Sequence, residues 1–339
     1  MLLYGAAFVV VLGSIANTSS AQIYVANRNL NTVSEFSLSG ALINPALVSD
    51  PNYGYDVAVA GNNLFFTTSG GSSTLGEFNA TTGATVIPSM VSGLQIGGVA
   101  VSGNSLYASS AHTPLPDGTV TQSIAVFNAS TGALVNNALI TGLNGPTSVA
   151  VSGNNLYELN YHDGSIGKYD ATTGAVINAS LVGLSDPAPQ FIAVSGNDLF
   201  VSDSTQDRVL EYDATTGTLL NQNFITGLFG AYGLAVVGGD LFVVSDGIYE
   251  HSVLIAGATI GEYDATTGVA INATLIYEPN PNPGTAGFIG LSDPRGIAVV
   301  EPVSSSSVPD TAGTLGLLGL SMGGLVLLRR QLFNKGFWI

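Results

Sequence analysis

The sequence predicts an all-β fold: a six-bladed β-propeller of four-stranded blades. Three observations predict it. A turn whose fullest form is "DATTG" returns six times, with its glycine at Gly40, Gly83, Gly132, Gly174, Gly217 and Gly268, at spacings of 43, 49, 42, 43 and 51 residues. A period near ~42 residues belongs to four-stranded propeller blades. A second phrase, "VAVSGNN" in its fullest form, returns in "DVAVAGNNLFF" from Asp56, "GVAVSGNSLY" from Gly98, "SVAVSGNNLY" from Ser148, "FIAVSGNDLF" from Phe191 and "GLAVVGGDLF" from Gly233. The repeat is also split. The segment "QIYVANRN" from Gln22 starts in the second strand of a unit, and "RGIAVVEP", Arg295 to Pro302, is a first strand with nothing after it. Joining the two closes a ring and hides the edges an open sheet would expose. An open β-solenoid is the alternative, and the split repeat argues against it.

Each unit resolves into strands A to D. Strand A, "VAVS", is a short apolar run suited to burial, and "GNN" is a tight hairpin whose Gly and Asn accept positive φ. Strand B is "LYVSD"-like. Strand C, "SIGKYD", alternates apolar and polar residues as a half-buried strand does. In "DATTG" the Asp or Asn accepts backbone N–H bonds and the Gly takes a left-handed position. Strand D, "AVINASLV", places apolar residues at alternate positions. Residues 296–301 are expected to pair with 23–27, with Ile297, Ala298 and Val299 buried. No long 3.6-residue period occurs in 22–300, so helices are expected to be few.

Composition narrows the function classes. Charged residues make up 9% of the 339, Gly numbers 43, and the formal net charge is −16. Such a chain is too apolar for disorder and too Gly-rich for a helical fold. Its acidity excludes attraction to nucleic acid or anionic lipid and favours cations, cationic groups or neutral sugars. The absence of Cys excludes disulfides, thiolate metal sites and a Cys nucleophile.

The two ends read as addresses. Residues 1–21 form a secretory signal: "LLYGAAFVVVLGSI" is short and apolar, and small residues at Ser19 and Ala21 mark a cleavage site. The propeller occupies 22–302, and a Ser-rich spacer with a sorting motif occupies 303–310. Residues 311–328 form an uncharged transmembrane helix of roughly 27 Å, and 329–339 a basic cytoplasmic tail beginning Arg329-Arg330. Without the ends, the body keeps 22 of the 23 acids and 4 of the 7 bases, so its net charge falls to −18.

Val308-Pro309-Asp310, the Gly/Leu-rich span and Arg329-Arg330, in that order, resemble the VPDSG variant of the PEP-CTERM sorting tail, with Thr311-Ala312 in place of Ser-Gly. The resemblance implies recognition by an exosortase-type enzyme and cleavage near the Val-Pro-Asp motif. It also implies delivery to the envelope exterior or extracellular matrix of a Gram-negative-type bacterium, with transient membrane anchoring through the helix. The repeats of the body resemble NHL-type and gluconolactonase-type six-bladed propellers. The "DATTG" turn is similar to quinoprotein repeats, but the blade-docking Trp of those repeats is missing and the single Trp is Trp338 in the tail.

Length variation gathers on one rim. The A–B and C–D turns stay constant, while B–C grows to "SSAHTPLPDGTVTQ" in blade three and "SDGIYEHSVLIAGA" in blade six, and D–A grows to "YEPNPNPGTAGFIGLSDP" before closure. Variable loops on a rigid frame are where binding usually sits. His112, His162 and His251 fall in three different B–C loops, and Asp117, Asp163, Asp203, Asp207, Asp246 and Glu250 come from B–C loops too; Asp50, Asp186, Glu278 and Asp293 come from D–A loops. His and Asp also favour exposed loops for no functional reason. The sharper reading is an acidic rim for cations or hydroxylated ligands, with Ca²⁺ or Mg²⁺ suited to its oxygen-rich surroundings. Asp203 and Asp246, at inner ends of B strands, would be the main ligands, with His162-Asp163 next. No phosphate loop and no nucleophile elbow is present, and no catalytic residue is assigned. Two classes remain: a surface or matrix propeller binding a glycan, peptide or cation, and a metal-dependent lactonase of the gluconolactonase type. The lactonase ligand set has no residue-by-residue match here, since "IYVANRN" offers no Glu.

Overall fold

The computed structural model describes residues 21–301 apart from 70–72, 92–93, 115–119, 185–188, 251–252 and 279–289. Both addresses therefore lie outside the described residues. So do His251, Asp117, Asp186, the sorting motif and the 311–328 span. Six four-stranded antiparallel sheets are present, with a separate two-stranded hairpin, Ile248–Glu250 with Val253–Ala256, inserted between strands B and C of blade six. No helix occurs among the described residues, and none there is long and apolar enough to cross a membrane.

The split repeat closes as the sequence requires. Pro294–Val300 is strand A of blade one and pairs antiparallel with strand B, Gln22–Asn27, through Gln22↔Val300, Ile23↔Val299, Tyr24↔Ala298 and Val25↔Ile297. Ile297 is buried, but Ala298 and Val299 are half-buried. Strands A are innermost in every blade, and their second halves form the wall of an axial channel of about 230 Å³, lined by apolar triplets such as Val57-Ala58-Val59 and Ile297-Ala298-Val299. Facing the channel is what leaves them part-open.

The core is divided among the interfaces between blades. Six apolar clusters occur, one per interface; that between blades four and five brings Tyr157, Leu159 and Ile166 against Leu199, Val201 and Leu210, and that between six and one brings Ile260 and Ile276 against Ile23 and Ile297. Because each sheet is sandwiched between two others, both faces of strands B and C are covered. The alternation in "SIGKYD" therefore does not mark a solvated face: Lys168 is buried beside Ile166, and Glu35 and Glu77 are buried at the same strand C position. Strand D departs from expectation in the other direction. Its first apolar residues, including Val135, Val176, Leu220 and Ile271, are exposed on the outer edge, and only its far end is buried.

The repeated turn locks one blade to the next. In blade four, Asp170 Oδ1 accepts the N–H groups of Thr172 and Thr173 at 3.1 and 2.8 Å. Gly174 has φ +71°, and a Cβ there would lie 2.2 Å from the Leu139 carbonyl oxygen on the preceding blade. Gly40 abuts the Leu275 carbonyl of blade six in the same way, carrying the contact across the closure. The turn's alanine is covered from the other side: Tyr24, Tyr107 and Tyr157 donate their hydroxyls to the carbonyls of Ala80, Ala171 and Ala214 on the following blades, at 3.0–3.2 Å. The phrase is written six times because six interfaces need it.

Strand D carries one more repeated device. Asn44, Asn136, Asn178, Asn221 and Asn272 each accept the N–H two residues on, and the C–D ladder breaks register there. These bulges interrupt the outer edge, which would otherwise offer a continuous row of backbone groups to another strand.

Candidate functional site

Every strand A begins with a register break against strand B: between Gly54 and Asp56, Ile96 and Val99, Pro146 and Ser148, Pro189 and Ile192, Ala231 and Leu234, and opposite Val25–Asn27 in blade one. A bulge bends its strand and re-aims the extra residue. Around the ring the re-aimed residues are Tyr55, Gly97, Thr147, Gln190, Tyr232 and Arg295, with Asp56, Gly98, Ser148, Phe191, Gly233 and Gly296 one step deeper. Tyr55, Gln190, Phe191, Tyr232 and Arg295, with Arg28 and Ser69 from the rim, line a cavity of about 290 Å³ at the channel mouth, on the B–C face.

The cavity has a floor. Tyr55 and Phe191 come from blades two and five, opposite each other in the ring, and their ring centroids approach to 5.7 Å across the axis. Phe191 lines both the mouth and the channel below. Beneath this pair Asp56 is buried, its Oδ1 accepting from Val57 N–H and its Oδ2 from Val99 N–H on the next blade, each at 2.9 Å. Ser148 Oγ accepts from Ile192 N–H of blade five in the same manner. Inner strands of neighbouring blades form no ladder, so these side chains satisfy N–H groups that would otherwise be orphaned. Gly296 is required here, since a Cβ would lie 2.1 Å from Asp56 Oδ1.

One wall is electrostatic. The guanidinium of Arg295 lies 3.7 Å from the centre of the Tyr232 ring, and its Nη2 pairs with Asp246 at 3.4 Å and with Asp293. Burial works against the Arg295 charge, but Asp293 and Asp246 more than offset it and hold its pKa above the ordinary value. Asp293 has φ +50°, a left-handed position that Asp tolerates. It is held there by Arg28 N–H, which donates to its carbonyl at 3.0 Å, while Asn27 Oδ1 accepts from Ser292 N–H at 3.1 Å. The Arg28 side chain is 49% exposed and reaches only to 3.9 Å from Asp293. The body's four cations thus divide unevenly. Lys168 donates to Ala214 O, Arg208 pairs with Asp203, and both remaining arginines line the mouth.

The described rim residues named from the sequence do not assemble into one centre. Asp203 is buried and turned into its own B–C turn, accepting from Thr205 and Gln206 N–H and pairing with Arg208 Nε at 3.1 Å. It does not line the mouth. Asp246 reaches the mouth only through Arg295. Asp163 is exposed and accepts from Ser165 and Asn144. His162 is exposed beside Tyr161 and packs over Gly145. His112 falls within strand B of blade three, Ser105–Pro114, because that hairpin extends its strands where a loop was expected. Among the described residues no three His, Asp or Glu side chains gather to hold a metal. A Ca²⁺ or Mg²⁺ ion at Asp203 or Asp246 would face a guanidinium already in place, so the donors do not fit one there. Sequence reasoning passed over Arg28, Tyr55, Gln190, Phe191, Tyr232 and Arg295. The signal was the residue pair before each "VAV", which varies from blade to blade while the triplet stays nearly constant.

Comparison with known proteins supports the fold. A family model, PQQ_2, outer membrane protein assembly factor BamB, matches residues 162–271. This is the stretch holding the "DATTG" copies of blades four, five and six. No curated protein matches the sequence. A solved nidogen/laminin complex contains a chain that superposes with a TM-score of 0.60 at 12% identity, over 83% of this chain and 98% of that one. A computationally designed protein, Ika8, aligns with a TM-score of 0.41 at 16% identity, over 76% and 88%. The chain is a six-bladed propeller. The likeness to the nidogen/laminin chain carries architecture and no activity.

Buried carboxyls give the ring an unusual pH dependence. Burial pushes Asp56 up to about 7 and Glu158 up to about 8, and raises Asp246 as well; two N–H bonds oppose the shift at Asp56, Arg295 at Asp246 and Asn160 at Glu158. A carboxyl whose folded pKa is raised binds its proton more tightly in the native state. Its contribution is therefore complete below the ordinary carboxylate range and is lost as pH rises towards the folded value. Thermal melts are expected to show a higher midpoint at pH 5.5 than at pH 8.5, and Glu158→Gln to reduce that difference. A midpoint that rises steadily from pH 5.5 to 8.5 would refute it.

Proposed function

We propose that the chain is an exported binding propeller, displayed at the cell surface or in the extracellular matrix, which takes its ligand in the channel mouth. Support for export is the order of small-residue cleavage site, Val308-Pro309-Asp310, apolar span and Arg329-Arg330, which suits processing by an exosortase-type enzyme. The observation that carries the binding reading is the cavity itself. Two of the body's four cations and three aromatic rings converge on it from four blades, on a rigid ring and above a closed floor. Concave sites with aromatic walls and a few fixed polar groups are the usual form of small-ligand sites.

The test is retention of purified protein on extracellular matrix from cells that make it. Arg28→Ala combined with Tyr55→Ala is expected to lower retention about tenfold or more, as loss of a binding hot spot does. His162→Ala combined with Asp163→Asn should leave it unchanged, and the melting midpoint reports whether each variant is folded. Equal retention of folded mouth variant and wild type would remove the mouth as the site.

A further inference from the structure

We propose that the mouth cavity recognises an acidic sugar residue, a hexuronate, presented by a glycan chain; this rests on the binding role proposed above. The acid follows from the cations. In a body with 22 acids and 4 bases, two of the four cations line this one small cavity, and only one of them is neutralised there. Their states differ. Arg295 is buried and committed, with two aspartates on its Nη2 and Tyr232 against its plane. Arg28 is half exposed and its nearest carboxylate stands at 3.9 Å, beyond hydrogen-bond reach. Its guanidinium therefore keeps donors for a carboxylate from solution, and a planar fork meeting a carboxylate edge-on is a strong, directional pairing.

The sugar follows from the rest of the lining. Tyr55 and Phe191 form an apolar floor and Tyr232 an aromatic wall. Ring faces carry partial negative charge and attract the weakly positive C–H groups of a pyranose face. Ser69 adds a hydroxyl at the edge of the same cavity, a group that can accept from a sugar hydroxyl. At about 290 Å³ the cavity lies near the lower limit of small-molecule pockets, a size for a single sugar unit rather than a long oligomer. A peptide C-terminus would also bring a carboxylate, but an aromatic floor with a polar edge matches a disc with one apolar face and a hydroxyl rim better than an extended backbone.

The experiment is calorimetric titration of the purified full chain with trigalacturonate, with its fully methyl-esterified form, and with a short peptide bearing either a free or an amidated C-terminus. The acid sugar is expected to bind, and the ester about tenfold or more weakly, as expected for loss of a charged hydrogen-bond pair. Arg28→Gln should weaken the acid about tenfold, leave the ester unchanged and so abolish the discrimination, with an unaltered melting midpoint. Tyr55→Ala should weaken acid and ester alike. Equal affinity for acid and ester in the wild type, or an acid affinity untouched by Arg28→Gln, overturns the proposal. Sugars that fail while the free-carboxylate peptide binds and its amide does not would overturn the sugar and reassign the mouth to a protein partner, leaving the binding role intact. If none of the probes binds, the uronate proposal falls, and the matrix-retention measurement decides separately whether the binding role falls with it.

Discussion

Arg295→Met is expected to cost the ring about 3–5 kcal/mol, the range for removing one partner of a buried ion pair. The methionine fills most of the arginine's volume and can still lie against Tyr232, so the loss isolates the charge. What remains is two neighbouring carboxylates, Asp246 and Asp293, with 16% and 12% of their side chains exposed and no cation within the buried cluster. Arg28 at 3.9 Å from Asp293 is a weak substitute. Urea unfolding at pH 8 would measure the loss. It should shrink at pH 5.5, where the orphaned carboxylates can take up protons, and Asp246→Asn in the Arg295→Met background should restore part of the stability. A loss under about 1 kcal/mol at pH 8 would mean that Arg295 sits at the mouth for its ligand alone.

Ending the chain at Asp293 is expected to abolish cooperative unfolding, while a chain ending at Glu301 keeps it. The lost segment is the inner strand of blade one. Without it, Ile23, Tyr24 and Val25, all fully or nearly fully buried, lose their ladder partners on the inner side, and the cluster between blades six and one loses Ile297. Gly296 also ceases to pack against Asp56. The combined loss is on the order of the whole net stability of a domain, ~5–15 kcal/mol. Circular dichroism melts of the two truncations would decide it. A sharp transition in the shorter chain would show that the ring tolerates an open seam.

The ring was legible because propeller architecture is written in turns. Asp170 and Gly174 announce a local conformation whatever surrounds them, and six copies at a blade-length period leave little choice of fold. The closure was legible because an incomplete first unit and an incomplete last unit complement each other. What periodicity could not report is which face of a strand meets solvent when sheets are stacked on both sides. Lys168 reads as a surface residue and is buried; Val176 reads as core and is exposed. The mouth escaped for a different reason. Loop length drew attention to the rim, yet the cavity is built at the bulged first residues of strands that otherwise repeat, where a single extra residue decides whether Tyr232 or Arg295 faces the axis or the sheet. Asp203 misled in the same way: its position at a strand end was read correctly, but its carboxylate is consumed by the turn it caps.

The contact between Tyr55 and Phe191 lays an aromatic floor across the propeller's channel mouth. For the proposed uronate, such a floor would favour a unit that protrudes from its chain, at a terminus or a branch, over a segment running through the ring. Under that proposal, two candidate units would compete for the same cavity. Residence time would then depend on the few side chains around the mouth, Arg28 foremost, while the rest of the ring would contribute rigidity. Many such rings fixed along a matrix would count chain ends, and their total grip would follow the number of ends within reach and not the length of the polymer.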